Sequence, residues 1–162
     1  MSDLHRIEQL SAAETRPLRR ALLRPNQPPS ACVYPGDDAP DAFHLGVRHP
    51  DAHDSTDLIA IASFYREPLP DNPTGLPQLR IRGMAVLPEH RNKGLGRVLV
   101  EAGLDIARSQ SPPPTLVWCN ARTTAAGYYE QLGFTPRGDE FEIEGIGPHF
   151  VMVNEMPSFP ED

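Results

Sequence analysis

Short runs of aliphatic, β-branched and aromatic residues recur along the chain, and six of them predict β-strands: "FHLGV", "DLIAIASFYRE", "LRIRGMAVL", "TLVWCN", "FTPRGDEFEI" and "HFVMVNEM". Elsewhere the apolar positions fall three and four apart, the period of a helix. Ser11 and Glu14 have the spacing of a capping box, and Leu18, Ala21 and Leu22 beyond them predict a short first helix with Pro17 tolerated in its first turn. From Gly94 onward, Leu95, Val98, Leu99, Ala102 and Ile106 predict a second helix, which "PPP" ends. "TTAAGYYEQLG" predicts a third, stopped at Gly133, a natural C-cap. Strands interleaved with helices and followed by two closing strands predict a mixed α/β sheet with helices on both faces.

The intervals are polar and rich in turn formers. "RPNQPPSACVYPGDDAP" opens a Pro-rich stretch over residues 24–42, and a loop that long inside a compact domain is usually functional or disordered. "RHPDAHDST" carries His49, Asp51, His53 and Asp54, but turn chemistry accounts for these residues without a metal.

The chain of 162 residues fits one domain, 1–162, with no repeat and no linker to divide it. Apolar runs such as residues 58–62 are too short to cross a bilayer, and "MSDLHRIEQL" lacks the layout of a secretory signal, so a cytoplasmic protein is expected. Cys32 and Cys119 lie far apart with no neighbouring ligand at metal spacing, so neither a disulfide framework nor a metal site is expected. Net charge is −7 and no basic cluster is longer than Arg19-Arg20, which disfavours nucleic acid and anionic membranes as partners.

Against that acidic background, "PEHRNKGLGRVLV" places Arg91, Lys93 and Arg97 around a glycine-bearing turn, and Lys93 is the only lysine in the chain. A P-loop fails here, because the lysine precedes the glycine and no hydroxyl follows. The dinucleotide fingerprint fails too: Gly94 and Gly96 supply its first two glycines, but Leu99 stands where the third belongs. What survives is the physics common to both, a backbone that a ligand can approach closely and helix N–H groups aimed at an anion. A diphosphate is the guest such a turn suits.

The same residues carry a resemblance. Arg91-Asn92-Lys93-Gly94-Leu95-Gly96 resembles the Arg/Gln-x-x-Gly-x-Gly/Ala signature of the GNAT superfamily of N-acetyltransferases, preceded as in that family by a strand ending in "MAV". "AAGYYEQLGF" resembles the family's later helix and turn, and the order of elements agrees from residue 58 to residue 156. "LRPNQPPSACVYPGDDAPDAFHLG" and "GDEFEIEGIGPHFVM" also look like a bacterial branch of the superfamily whose acceptor the sequence does not name. The resemblance implies a mostly antiparallel central sheet of six to seven strands. It implies acetyl-CoA as co-substrate, with the diphosphate on backbone N–H groups of Asn92, Lys93, Gly94, Leu95, Gly96 and Arg97 and with Arg91, Lys93 and Arg97 adding charge. The pantetheine arm would pair with the edge of Met84, Ala85 and Val86, where a backbone N–H also serves an oxyanion.

Tyr129, five residues before Phe134, stands where many relatives place the acid that protonates the departing thiolate; its alternative role is a packed aromatic. Some relatives carry a glutamate base six residues before the Val of "MAV", and here that position is Arg80. Arg80 and Arg82 share a strand face, either lining the site of an acceptor bearing a carboxylate or phosphate or salt-bridged at the surface. The family's frequent Asn seven residues before the Tyr is Arg122, with Asn120 two residues earlier, and either is a candidate to meet the coenzyme. His149 is a candidate base, although a lone histidine is more often structural. Cys119, with no base beside it, reads as core.

The implied activity is direct transfer of acetyl from acetyl-CoA to a primary amine of a small molecule in a ternary complex, with no metal, and with residues 24–42 as an acceptor-side lid. A catalytically silent acyl-CoA sensor or regulatory module is the alternative, and a nucleotide-binding protein is disfavoured by the failed fingerprints. Similar proteins often form a homodimer, which composition does not decide.

Overall fold

Seven strands and three α-helices alternate along the chain in the computed structural model, which describes residues 6–49, 58–71 and 75–155. The elements are β1 (Arg6–Leu10), α1 (Ala12–Leu18), β2 (Phe43–Arg48), β3 (Leu58–Tyr65), β4 (Gln78–Val86), α2 (Leu95–Arg108), β5 (Leu116–Arg122), α3 (Ala126–Gln131), β6 (Thr135–Ile143) and β7 (Gly147–Glu155). The strands hydrogen-bond in the order β1-β2-β3-β4-β5-β7-β6. The β1–β2, β2–β3, β5–β7 and β6–β7 pairs are antiparallel, and β4–β5 is parallel. This is the mixed, mostly antiparallel sheet that the resemblance implied.

The chain clusters into two compact units, Met1–Tyr65 with Arg82–Ile106, and Arg66–Ile81 with Ala107–Asp162. In the first, every residue of β2 and β3 is buried, the polar His44, Arg48 and Ser63 among them, so neither strand shows the alternation of a half-exposed sheet. Leu10, Leu58, Ile61 and Ala85 form a core there, covered by Leu18, Leu22 and Leu23. The α2 backbone lies directly on β3, because the Phe64 ring occupies the space a side chain at Gly103 would need.

The first helix begins as the sequence predicts. Ser11 Oγ accepts from the Glu14 N–H, and the Glu14 carboxylate accepts from the Ser11 N–H at 2.8 Å. Pro17 corrects the rest of the expectation: it is the sixth helical residue, not part of the first turn, and its ring denies the Ala13 carbonyl its helical partner. The chain continues as a π-helical turn over Arg19–Leu23, closed by the Arg24 N–H on the Arg19 carbonyl at 3.0 Å. A second correction is β1, a strand of mostly polar residues that the hydrophobic pattern did not reveal.

In the second unit, Leu69, Leu116, Trp118 and Val153 form the core, with Val151 against it. The Trp118 indole N–H donates to the Glu67 carbonyl at 2.8 Å, fixing the ring within that core. Here α3 ends as Gly133 predicts. With Gly133 at φ 96°, its N–H reaches the Glu130 carbonyl and the Phe134 N–H reaches the Tyr129 carbonyl, the paired bonds of a Schellman motif. The accompanying apolar contact is Tyr129 on Phe134, with ring centroids 5.7 Å apart.

Candidate active site

The cationic turn lies in the first unit, between the end of β4 and the start of α2. A 3₁₀ turn over Pro88–His90 carries the chain off the strand, and the Arg91 guanidinium ties the turn back through a 3.1 Å hydrogen bond to the Val86 carbonyl. Asn92 and Gly94 both adopt left-handed backbone, at φ 66° and 79°. For Gly94 that conformation costs little, and a Cβ there would meet no atom within 4 Å, so the backbone borders open space. Gly94 also has no side chain with which to cap α2, leaving the helix's opening N–H groups at Leu95, Gly96 and Arg97 to other partners.

Two contacts of the charges around the turn lie at the surface. Lys93 Nζ donates to His90 Nδ1 at 3.2 Å on the surface. Arg97 and Glu101 are 3.9 Å apart with both side chains about half or more exposed, a pairing of small energetic weight. These cations stand at the end of α2 where the helix dipole is also positive.

Residues 84–86 are the last three of β4. Ala85 is buried in the core, and Met84 and Val86 are half-buried. The β4–β5 register runs from Gln78↔Leu116 to Arg80↔Trp118 and stops there, so the backbone of 84–86 extends beyond it. One residue earlier, Gly83 has φ 66° and bends the strand. A glycine after "LRIR" was the available sign of that bend in the sequence.

Next to Gly83 is a cluster that sequence reasoning missed. Arg19 is fully buried and forms a bidentate pair with Asp37 at 2.8 and 3.0 Å. Its guanidinium also donates to the Cys32 carbonyl, Ser63 Oγ and Tyr65 Oη at 2.9, 2.9 and 3.2 Å. Tyr65 Oη donates to Asp37 at 2.6 Å, and the Tyr34 N–H donates to the same carboxylate at 2.9 Å. Burial alone would raise the Asp37 carboxyl, but these donors hold it down at about 2. Burial and the bond to Asp37 push the Tyr65 phenol well above the usual tyrosine range. The Pro-rich stretch is thus anchored at Cys32, Tyr34 and Asp37, all buried.

The other predicted residues lie in the second unit. Tyr129 is half-buried in α3, and its phenol is pushed well above the usual range by burial, with Cys119 and Tyr128 adding to the effect. Tyr128 is exposed, its ring edge-on to that of Tyr129 at 5.5 Å. Burial raises the Cys119 thiol to about 12, which removes it as a nucleophile near neutral pH. Asn120 and Arg122 follow on β5, opposite Val151 and His149 of β7. His149 is buried beside Phe141 and its Nδ1–H donates to the Gly147 carbonyl at 2.7 Å, which leaves Nε2 to accept a proton.

Arg80 and Arg82 engage different rings. Arg80 pairs with Glu67 at 2.9 Å and lies 4.7 Å from the Trp118 ring, whereas Arg82 lies 4.4 Å from that of Tyr34. Of the histidine-rich turn, His49 packs edge-on against His90 and the remainder is outside the described residues. Among the described residues no group of three potential metal ligands converges, and no helix is long and apolar enough to cross a membrane.

A glycine-opened cationic turn thus leads from a sheet strand into a long helix, in a mostly antiparallel seven-stranded sheet. Residues 7–134 match the model of the Acetyltransferase (GNAT) family, and the chain belongs to that family. It is 40% identical over 151 residues to the uncharacterized N-acetyltransferase YitI of Bacillus subtilis (strain 168), a match covering 93% of this chain and 95% of the relative. Among solved structures, ElaA of Escherichia coli superposes with a TM-score of 0.69 at 19% identity, over 93% of this chain and 99% of the other. Arabidopsis thaliana NAA60, solved in complex with acetyl-CoA, gives 0.70 at 11% identity, over 94% and 98%.

Proposed function

We propose that this chain transfers the acetyl group of acetyl-CoA to the primary amine of a small molecule, by direct attack in a ternary complex and without a metal, in the cytoplasm. The observation that carries the reading is the 91–97 turn, where Asn92 and Gly94 take left-handed backbone, the space beside Gly94 is open, and three cations gather in a chain of net charge −7. These residues fit a diphosphate. Backbone N–H groups at 92–97 bind it, and Arg91, Lys93 and Arg97 supply charge. The strand edge at 84–86 orients the amide-bearing arm, and a backbone N–H there stabilises charge on the acyl oxygen.

When bound, acetyl-CoA supplies a thioester that an unprotonated amine attacks. Tyr129 Oη holds a proton for the departing sulfur, and its raised phenol keeps that proton in place at neutral pH. His149 Nε2 is assigned as the acceptor for the proton the amine loses, with Asn120 and Arg122 as further coenzyme contacts. Arg82, beside Tyr34, and Arg80 are assigned to the acceptor side, with residues 24–42 as its cover; trimming exposed residues there raises the acceptor KM while acetyl-CoA still binds.

Tyr129→Phe tests the reading against a silent acyl-CoA-binding module. Steady-state kinetics with a panel of amines should show kcat lost with acetyl-CoA affinity intact. Acetyl-CoA binding by a wild-type protein that acetylates none of the panel would favour the silent module.

A further inference from the structure

The Arg19–Asp37 cluster is expensive. Burying both charges forfeits their hydration, and an apolar pair of similar volume is often as stable or more so. What an apolar pair lacks is direction. Five hydrogen bonds from one guanidinium fix Cys32, Asp37, Ser63 and Tyr65 relative to each other. The Tyr34 N–H is bonded to the same carboxylate, and the Arg19 guanidinium lies 3.9 Å from the centroid of the Tyr34 ring. The ring is only 4% exposed, so it has one place to be.

That place is the bend of β4. A Cβ on Gly83 would come within 3.0 Å of Tyr34 Cε2 and 3.5 Å of Arg19 Nε. Arg19 Nε is itself buried without a hydrogen-bond partner, stacked toward the ring and the glycine rather than toward an acceptor. Arg82, the residue before the bend, packs on the same ring at 4.4 Å. The contacts run in series from β3 through Arg19 and Asp37 to Tyr34 and then to Gly83, immediately before 84–86.

We propose that the Tyr34 ring, held by the buried Arg19–Asp37 pair, is a positioning element that fixes the bend of β4 at Gly83 and so sets the direction of the backbone at 84–86. Its consequence for turnover rests on the acetyl-transfer reading above; its consequence for the strand does not. Tyr34 touches no reacting atom in this scheme, and a small displacement of the strand would still cost rate, because a misplacement of about 1 Å can lower turnover about a hundredfold.

Amide hydrogen exchange on Tyr34→Leu and Tyr34→Phe tests the device without substrate. In Tyr34→Leu the amides of 84–86 are expected to exchange about tenfold faster while β2 and β3 keep wild-type rates, the pattern of a local opening. Tyr34→Phe, which keeps the ring, is expected to restore slow exchange. Arg19→Met with Asp37→Leu, an apolar replacement of the pair, is expected to fold and to show the same fast exchange at 84–86. Unchanged exchange at 84–86 in Tyr34→Leu, or a uniform rise across the whole unit, overturns the proposal. Where wild type turns over, kcat/KM in Tyr34→Leu should fall at least about tenfold and Tyr34→Phe should restore it. A wild type that fails to bind acetyl-CoA would refute the acetyl-transfer reading and leave the exchange result to decide the brace alone.

Discussion

Two cationic groups in the first unit do opposite things with their charge. Around Arg19, the guanidinium is fully buried and its ion pair with Asp37 is closed off from solvent. Around the 91–97 turn, residues 91–94 are exposed and Arg97 pairs with Glu101 at 3.9 Å on the surface. The first arrangement is closed to solvent and serves the shape of the chain. The second is exposed, on a turn whose backbone borders open space, and that is what suits it to an anionic ligand. The difference between them comes from burial and partners, since both begin as arginines in helical or turn segments.

Breaking the buried cluster should have the largest effect. Removing one partner strands a buried charge, so Arg19→Ala or Asp37→Ala is expected to cost about 3–5 kcal/mol in a denaturant titration. Lys93→Ala, in the exposed turn, is expected to change stability by less than about 0.5 kcal/mol. Kinetics come next: Tyr129→Phe should lower kcat about a hundredfold while the acetyl-CoA Kd is retained.

The pH dependence sharpens the contrast further. The Asp37 carboxyl is depressed to about 2, so its contribution is complete above the unfolded value near 4 and is lost as pH falls toward 2, an effect of about 2 kcal/mol. The Tyr65 phenol is raised, so its contribution is present below about pH 10 and is lost as pH rises beyond that. Asp37→Asn should flatten the acid limb of the stability profile measured by thermal melts. Smallest of all, Lys93→Ala should weaken acetyl-CoA binding only several-fold, and less at high salt, because surface charge is screened.

The sequence revealed local features well. The capping box at Ser11 and Glu14, the start of α2 after Gly94 and the end of α3 at Gly133 each depend on residues within five positions of one another, and all three form as expected. The cationic turn was legible for the same reason. The Arg19 cluster was not, because its partners lie 13 to 46 residues away and Asp37 sits among prolines in what reads as a loop. In the sequence Arg19 stands out only as half of the Arg19-Arg20 pair, and only the fold shows that it faces inward while Arg20 is exposed. β1 was missed because a strand at the end of the pairing order gains its order from β2 more than from its own apolar content.

The measurement that bears most directly on the account is calorimetric titration of the chain with acetyl-CoA, run against ATP and NAD and repeated on a Gly94→Val, Gly96→Val double variant. Selective acetyl-CoA binding that the double variant loses while remaining folded is the expected result. A folded wild-type chain that binds no acetyl-CoA, or a double variant that binds it undiminished, would contradict the assignment of the 91–97 turn as the coenzyme's cradle.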